Sequence, residues 1–371
     1  MPSSAFTTDR RRLTALRQAA QHITASERST PGQVVRSMLA MQGQDLPGAR
    51  WSIGLRGQGL TDVEVGAAFD AGEIIRSWPM RGTLHVTAGE DIGWMLELMA
   101  PRVVGSTASR RAQLGITEQD LDQARDAAVA SLDGGRSLTR QGMLDAIAAN
   151  GVVIDGQRGY HFLGYLSQTG TIVLGPLAGR QQSFVLLAEW VRTPRRLDRD
   201  EALAELAGRY FRSHGPATDR DLSRWSGLPL GDVRRGMSLC AHSLAQVELG
   251  GVAYHLAPEI LDAVSAAPPT TPTPDVRLLP GFDEYLLGYR DRGAVLAAEH
   301  AQAVVPGNNG MFLPTIVVDG EVVGTWKRSA RAREVVIDLA PFATIPGAAR
   351  DGLADAARAY GTFLGKPARI G

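Results

Sequence analysis

The sequence feature that most constrains the fold of this chain is an order of helix-like and strand-like segments that occurs three times. In each copy, stretches with the apolar spacing of amphipathic helices come first, and two short strand-like runs follow. Two or three helices followed by a small hairpin is the order of a winged helix, so the pattern predicts three such units in tandem. The hairpin runs are 74–80 with 81–86, 171–174 with 184–187, and 245–249 with 252–256 around the turn Gly250-Gly251.

A proline-rich stretch, Pro268–Pro274, follows the third copy and is typical of an extended linker. Strand-like runs come after it, two of them joined by Asp319-Gly320, and a helix is predicted near 348–363. We therefore predict an α+β protein with three tandem winged-helix units and a small C-terminal α+β domain that contains a β-hairpin. The predicted boundaries are 1–116, 117–196, 197–267 and 275–371.

Composition excludes several classes of protein. The chain has 371 residues, of which 44% are hydrophobic and 21% charged, as in ordinary globular proteins. No apolar run reaches the roughly 20 residues that span a membrane, and the N-terminus lacks the apolar core of a signal peptide. The single cysteine, Cys240, allows no internal disulfide and is expected to be a small buried residue. We expect a cytoplasmic protein that makes no membrane contact.

The distribution of charge is more informative than its sum. The formal net charge is zero, which gives no overall signal for nucleic-acid binding. Residues 1–60, however, contain eight arginines against three acidic residues, and a second basic cluster lies at 327–333. Arginine suits phosphate contacts, although a GC-rich genome would also explain why the chain has only two lysines.

The segment from Gln42 to Asp45 is the strongest candidate for a reactive site. It lies between an apolar helical run and a helix that Pro47 favours. Gln42 and Gln44 would face apart on a helix, but they can converge on an irregular turn that Gly43 permits. Several hydrogen-bonding oxygens would then face one small target. The alternative is that the glutamines only cap the two helices.

The sequence lacks the motifs of cofactor-dependent enzymes. Its histidines are scattered, and no His-Glu-x-x-His or paired-cysteine motif is present. Glycine-rich pieces lack the strand–turn–helix context of a phosphate-binding loop, and no nucleophile elbow is found. We therefore expect neither a metal nor an organic cofactor.

The Gln42 segment belongs to a set of motifs spread over nearly the whole chain. They are Met41–Asp45 with Ala49-Arg50, Ser77–His85, His214–Thr218 leading into Asp221–Trp225, Leu278–Arg292 and Gly324–Arg328. Together they resemble the winged-helix DNA glycosylases of the AlkZ/AlkX (YcaQ) family. The Gln-x-Gln pair and the Arg-Gly-Thr-Leu-His block within Ser77–His85 are the most specific of these matches.

The resemblance implies three tandem winged helices and a monofunctional DNA glycosylase that removes N7-alkylated purines. Members with Gln-x-Gln, as here at Gln42 and Gln44, resemble the AlkZ branch, which unhooks interstrand crosslinks of natural-product toxins such as azinomycin B. The other branch carries Gln-x-Asp, and this sequence departs from it at Gln44. The expected partner is double-stranded DNA carrying alkylated purines, bound by a monomer associated with the nucleoid.

The chemistry of that reaction explains why two carboxamides could serve it. An N7-alkylated guanine is already cationic, so it can leave without being protonated. The enzyme must hold a water molecule at the anomeric carbon and stabilise an oxocarbenium-like centre, as in glycoside hydrolysis. The oxygens of Gln42 and Gln44 can orient that water, although glutamine is no general base. Asp45 could assist through its charge, but we rank it third because its side chain can face away.

A crosslinked base is tied to both strands and cannot be flipped by the usual ~180° into a deep pocket, so a shallow, open site is expected. Arg81 and His85 are candidate contacts to the DNA backbone. Alternatively, Arg81 could form an ion pair inside its hairpin, and His85 could be a strand histidine with satisfied hydrogen bonds. The Asp319-Gly320 hairpin and the 306–310 loop could touch the duplex or be ordinary surface loops. The candidate DNA-binding residues are Arg50, Arg56, Arg81, His85, His214 and Arg328.

The main alternative is a non-enzymatic transcription regulator that binds DNA through the same winged helices. Such proteins read bases with a recognition helix in the major groove. The candidate helix at 137–149 offers few side chains for this, namely Arg140, Gln141 and the following Asn150. A third possibility is a protein that sequesters a toxin without catalysis.

Overall fold

The computed structural model describes residues 2–24, 26–265 and 274–371, so the predicted linker falls almost entirely outside the described residues. Internal contacts group the chain into a first unit, Met1–Val65 with Leu203–Gly371, and a middle unit, Gly66–Ala202. These units do not follow the boundaries expected for three winged helices, and that finer division stays a prediction.

Helices dominate the N-terminal part of the first unit. The Thr30 hydroxyl accepts a hydrogen bond from the Gln33 N–H, and Oε1 of Gln33 accepts one from the Thr30 N–H, which forms a capping box at the start of the second helix. The elements in this part are α1 (Pro2–Ala20), α2 (Pro31–Met38), β1 (Ala40–Gln42), α3 (Leu46–Leu55) and α4 (Asp62–Asp70).

The middle unit combines strands with helices. Its elements are β2 (Ile74–Met80), β3 (Thr83–Ala88), α5 (Ile92–Ser106), α6 (Ala108–Gln113), α7 (Glu118–Leu132), β4 (Leu138–Thr139), α8 (Arg140–Ala149), α9 (Arg158–Gln168), β5 (Ile172–Ala178), β6 (Gln181–Leu186) and α10 (Leu187–Trp190). The strands follow the order β3-β2-β5-β6-β4. Strands β2 and β5 pair at Arg76 and Leu174, so two hairpins predicted in separate units join in one sheet.

The C-terminal part returns to the first unit and carries a second sheet in the order β13-β12-β11-β10-β9. The predicted Asp319-Gly320 hairpin is confirmed, with positive φ at both residues. The elements are α11 (Arg199–His214), α12 (Asp219–Ser226), α13 (Leu230–Leu239), β7 (Ala245–Leu249), β8 (Val252–Leu256), α14 (Pro258–Ser265), β9 (Val276–Leu279), α15 (Glu284–Leu287), α16 (Ala301–Val304), β10 (Thr315–Val318), β11 (Glu321–Ala330), β12 (Val335–Pro341), α17 (Arg350–Leu364) and β13 (Ala368–Ile370).

The architecture is α+β, as predicted, and the third predicted hairpin is confirmed residue for residue as β7 and β8. The helix predicted over 137–149 starts later, because Leu138 and Thr139 pair with β6 and Thr139 then caps α8. Cys240 is buried, as expected. Within the described ranges, no helix has the length and apolar character needed to cross a membrane.

Candidate functional site

The Gln42 segment forms an elbow between two helices, as predicted. Helix α2 ends at Met38, Leu39 takes a positive φ of 67°, and β1 leads the chain to Gln42. Asp45 occupies the N-cap position of α3 without capping it through its side chain. Leu39 and Asp45 hold the two cap positions, so neither glutamine occupies one.

The two glutamines differ in exposure. Gln42 is half-buried, whereas Gln44 is exposed. The side-chain Oε1 of Gln42 accepts a hydrogen bond from the backbone N–H of Gly43 at 3.2 Å. The orientation of the Gln42 carboxamide is therefore tied to the local backbone of the elbow.

The backbone of the elbow is held by a buried carboxylate, Glu284, which was not among the candidate site residues. The Gln42 N–H donates to Oε1 of Glu284 at 2.7 Å. Glu284 is only 1% exposed, and its Oε2 accepts from Trp225 Nε1 at 2.9 Å and lies 3.4 Å from His214 Nε2. A detectable signal did exist in the sequence, because Asp283-Glu284 is an acidic pair within a largely apolar run.

The neighbouring Asp283 joins the C-terminal end of α3 to the start of α15 through a second buried network. Its two oxygens accept from Arg56 at 2.9 and 2.7 Å, which is a bidentate ion pair. Ser52 donates to the same carboxylate at 2.7 Å, and Arg56 also donates to Gln21 at 2.9 Å. Arg56 is 0% exposed, so its predicted role as a DNA contact is replaced by a structural one.

His214, another predicted DNA contact, lies in the same interior. It is fully buried, its ring stacks on Tyr210 at 4.8 Å, and its carbonyl accepts from the Tyr289 hydroxyl at 2.8 Å. Arg17 lies over the Tyr289 ring at 3.6 Å. Burial raises the pKa of Tyr289 to about 12, so its hydroxyl stays protonated and continues to donate. His214 thus supports the interior beneath the elbow and has no surface through which to contact DNA.

Arg328 and Asp45 do lie together near the surface of the first unit. Nη2 of Arg328 is 3.4 Å from Oδ2 of Asp45, and its Nη1 donates to the Tyr360 hydroxyl at 3.2 Å. Gly48 makes this geometry possible, because a Cβ at that position would lie 2.6 Å from the Asp45 carboxylate. The ion pair turns the charge of Asp45 toward Arg328. Arg50 forms a separate, partly exposed ion pair with Asp62 at 2.9 Å.

Arg81 and His85 interact within the middle unit. Arg81 forms the β2–β3 turn with Gly82, with φ of 55° and 69° respectively. It donates from Nη2 to Nε2 of His85 at 2.9 Å, so Nδ1 carries the ring proton and donates to the Thr83 carbonyl at 2.9 Å. His85 is fully buried, which agrees with the alternative of a satisfied strand histidine. Arg81 is half-buried.

The site holds hydrogen-bonding groups rather than metal ligands. Among the described residues, no group of histidine, cysteine, aspartate and glutamate side chains is arranged to bind a metal ion. The elbow carries the carboxamides of Gln42 and Gln44 and the carboxylate of Asp45, and the guanidinium of Arg328 lies 3.4 Å from that carboxylate. Such groups can orient a water molecule and contact an anionic backbone.

Comparison with known proteins assigns the family. The family model described as DNA glycosylase AlkZ-like matches residues 35–363. The interstrand DNA cross-link repair glycosylase of Streptomyces sahachiroi is 26% identical over 330 residues, which cover 85% of this chain and 87% of that protein. The solved structure of Streptomyces sahachiroi DNA glycosylase AlkZ matches with a TM-score of 0.80 at 26% identity and covers 97% of this chain and 99% of that chain. The protein therefore belongs to the AlkZ-like DNA glycosylase family.

Proposed function

We propose that this DNA glycosylase hydrolyses the N-glycosidic bond of N7-alkylated purines, including those that a natural-product toxin has joined into interstrand crosslinks. The observation that carries the proposal is the elbow itself. Gln42 and Gln44 lie on an elbow in which a buried carboxylate accepts a hydrogen bond from the Gln42 backbone N–H at 2.7 Å. The name of the Streptomyces relative, which refers to cross-link repair, supports the same substrate class.

In this mechanism the two carboxamides bind and orient the attacking water. The N7-alkylated base carries a positive charge and leaves without a general acid. The sugar acquires oxocarbenium character as the bond lengthens, and water held by carboxamide oxygens is in place to attack the anomeric carbon. Asp45 contributes less, because Arg328 lies 3.4 Å from its carboxylate.

An exposed elbow suits a lesion that cannot be extruded. Gln44 is exposed and Gln42 half-buried, so the reactive groups lie at the surface rather than at the bottom of a deep pocket. The glycosidic bond of a crosslinked purine can be reached from such a surface while the base stays tied to both strands.

We further propose that three winged helices present this surface to DNA. The order of elements supports it, since α2-β1-α3-α4-β2-β3 and α7-β4-α8-α9-β5-β6 repeat one pattern. The segment α11-α12-α13-β7-β8 repeats its helices and hairpin. Arg50, Arg81 and Arg328 remain the proposed phosphate contacts. The protein would act as a monomer on nucleoid DNA in the cytoplasm.

A base-release assay on defined lesions tests the proposal. Duplexes of one sequence would carry a single N7-methylguanine, an N7-linked interstrand crosslink, or O6-methylguanine as a matched control. The O6 adduct has the same base and alkyl group without the positive charge, so its base should not leave. We expect release from the first two only. Equal release from the O6 adduct, or none from either N7 adduct, would refute the proposed specificity.

A further inference from the structure

The buried carboxylate of Glu284 contacts both the backbone of Gln42 and the interior of the first unit. One carboxylate oxygen accepts from the Gln42 N–H at 2.7 Å. The other accepts from Trp225 Nε1 at 2.9 Å and lies 3.4 Å from His214 Nε2. The carboxylate therefore bridges the elbow to α12 and to the end of α11.

The chemistry of the two donors requires a carboxylate at this position. The Gln42 N–H and the Trp225 indole N–H can only donate, so the bridging group must accept on both sides. A glutamine would turn its amide group toward one of the two donors and lose that bond. An ionised carboxylate can accept from both.

The packing of the first unit does not by itself explain why a second buried carboxylate, Glu284, follows Asp283. Burying a carboxylate is costly, and the adjacent Asp283 already joins α3 to α15 through its ion pair with Arg56 at 2.7 Å. The bond from Glu284 ends on β1, a strand of only three residues whose last residue is Gln42. One of the two oxygens of this buried carboxylate thus serves the elbow, and the other serves the interior.

We propose that Glu284 is a positioning residue for excision: its carboxylate sets the backbone at Gln42 and, through it, the Gln42 carboxamide. This inference rests on the proposed role of Gln42 in orienting water. The Gln42 side chain accepts from the Gly43 N–H at 3.2 Å, so a displaced backbone displaces the carboxamide. A misplacement of about 1 Å can slow a reaction by about 10²-fold.

Two substitutions of Glu284 test how many of its acceptor oxygens excision needs. Glu284→Met keeps the length of the side chain and removes both acceptors, whereas Glu284→Gln keeps one of them. Tyr285→Phe is the matched control, because it removes a buried hydroxyl that donates to the Gly320 carbonyl at 2.8 Å and touches neither glutamine. Each variant would be made alone and combined with Gln42→Ala.

Single-turnover excision of N7-methylguanine, thermal melts and DNA affinity would be measured for every folded variant. We expect Glu284→Met to slow excision by about 10- to 10²-fold and Glu284→Gln by less. DNA affinity should change little, and Tyr285→Phe should excise at the wild-type rate. In the Gln42→Ala background, neither Glu284 substitution should slow excision further, since a positioning residue acts only through the residue that it positions.

The outcomes distinguish this inference from the proposed function. Wild-type excision by folded Glu284 variants, or losses that multiply with that of Gln42→Ala, would overturn the positioning role while the role of Gln42 stands. If Glu284→Met does not fold, the same comparison with Glu284→Gln decides. Unchanged excision by Gln42→Ala would refute the proposed function, and the role of Glu284 would fall with it.

Discussion

Individual arginines in the first unit have opposite surroundings, although their sequence contexts look alike. Arg56 is buried against Asp283, while the Arg50 side chain is 20% exposed beside Asp62. Both were candidate DNA contacts in the sequence analysis. The residue type indicates the capacity of both side chains to bind phosphate. Arg56 is buried because it pairs with Asp283, which lies 227 residues away along the chain, and no local sequence pattern reveals that pairing.

The Arg56–Asp283 pair predicts a large stability difference between two arginine substitutions. Arg56→Met leaves a buried carboxylate without its cation, which should cost about 3–5 kcal/mol of unfolding free energy. Arg50→Ala breaks a partly exposed pair and should cost less than about 1 kcal/mol. Urea unfolding of both variants measures this difference. Similar losses for the two would show that the buried pair has no special role.

His22 predicts a loss of stability on acidification. Burial, with the positive charges of Arg28 and Arg56, lowers its pKa from 6.5 to about 3. The unfolded chain therefore takes up a proton near pH 6.5 that the folded protein does not accept until about pH 3. Stability should fall across this window, by at most ~1.4 kcal/mol per pH unit from this one group.

Urea midpoints at pH 7 and pH 5 test this expectation. His22→Gln should reduce the loss between the two values, because the unfolded variant has no proton to gain there. His300→Gln, at a side chain that is 32% exposed, serves as the control. An identical loss in wild type and His22→Gln would contradict the assignment.

Secondary-structure elements were predictable where local signals are strong. The Gly250-Gly251 and Asp319-Gly320 turns identified their hairpins, because both residues of each turn take positive φ. The short strands β1 and β4 were missed, since two or three residues carry no periodicity. Strand β4 is defined by its pairing with β6, in which Leu138 pairs with Phe184. Sheet order was not predictable, because it too depends on such pairing.

The capping-box residue Asp221 of helix α12 also makes a long-range hydrogen bond. Asp221 accepts from the Thr218 N–H at 2.8 Å in a capping box, and its other oxygen accepts from the Arg290 N–H at 2.8 Å. Thr218→Ala removes only the cap and should cost about 1 kcal/mol.

Asp221→Ala should cost more, because it also removes the acceptor of the partly buried Arg290 N–H, a loss of about 1 kcal/mol in addition. Thermal unfolding of both variants compares them. Equal shifts in melting temperature would mean that the bond to Arg290 contributes nothing beyond the cap.

On the scale of the whole molecule, the sequence predicted the α+β class, the family and the position of the elbow. It did not predict what supports the elbow, because Glu284 and Trp225 lie 242 and 183 positions from Gln42 along the chain. Short sequence motifs predict local turns and the chemistry of individual side chains. The buried hydrogen-bond network around Glu284 and Asp283 joins residues that are far apart in the sequence, so short motifs do not predict it. Three of the six candidate DNA contacts are buried, Arg56 and His214 in that network and His85 in β3.

Binding to DNA should depend on salt although the formal net charge is zero. Arginines that contact phosphates release counterions from the DNA, so log K should fall linearly with log salt. If Arg328 contacts one phosphate, Arg328→Ala should reduce the magnitude of the slope by about 0.9. Titrations of an unmodified duplex at several salt concentrations measure it. A salt-independent affinity, or an unchanged slope for Arg328→Ala, would contradict these contacts.

The central claim is that Gln42 and Gln44 orient the attacking water. Single-turnover excision of N7-methylguanine by folded Gln42→Ala and Gln44→Ala proteins, beside thermal melts, tests it most directly. We predict that both slow by roughly 10²-fold or more with little change in melting temperature or DNA affinity, and that Gln44→Asp is milder than Gln44→Ala. Excision at the wild-type rate by both folded alanine variants would contradict the account.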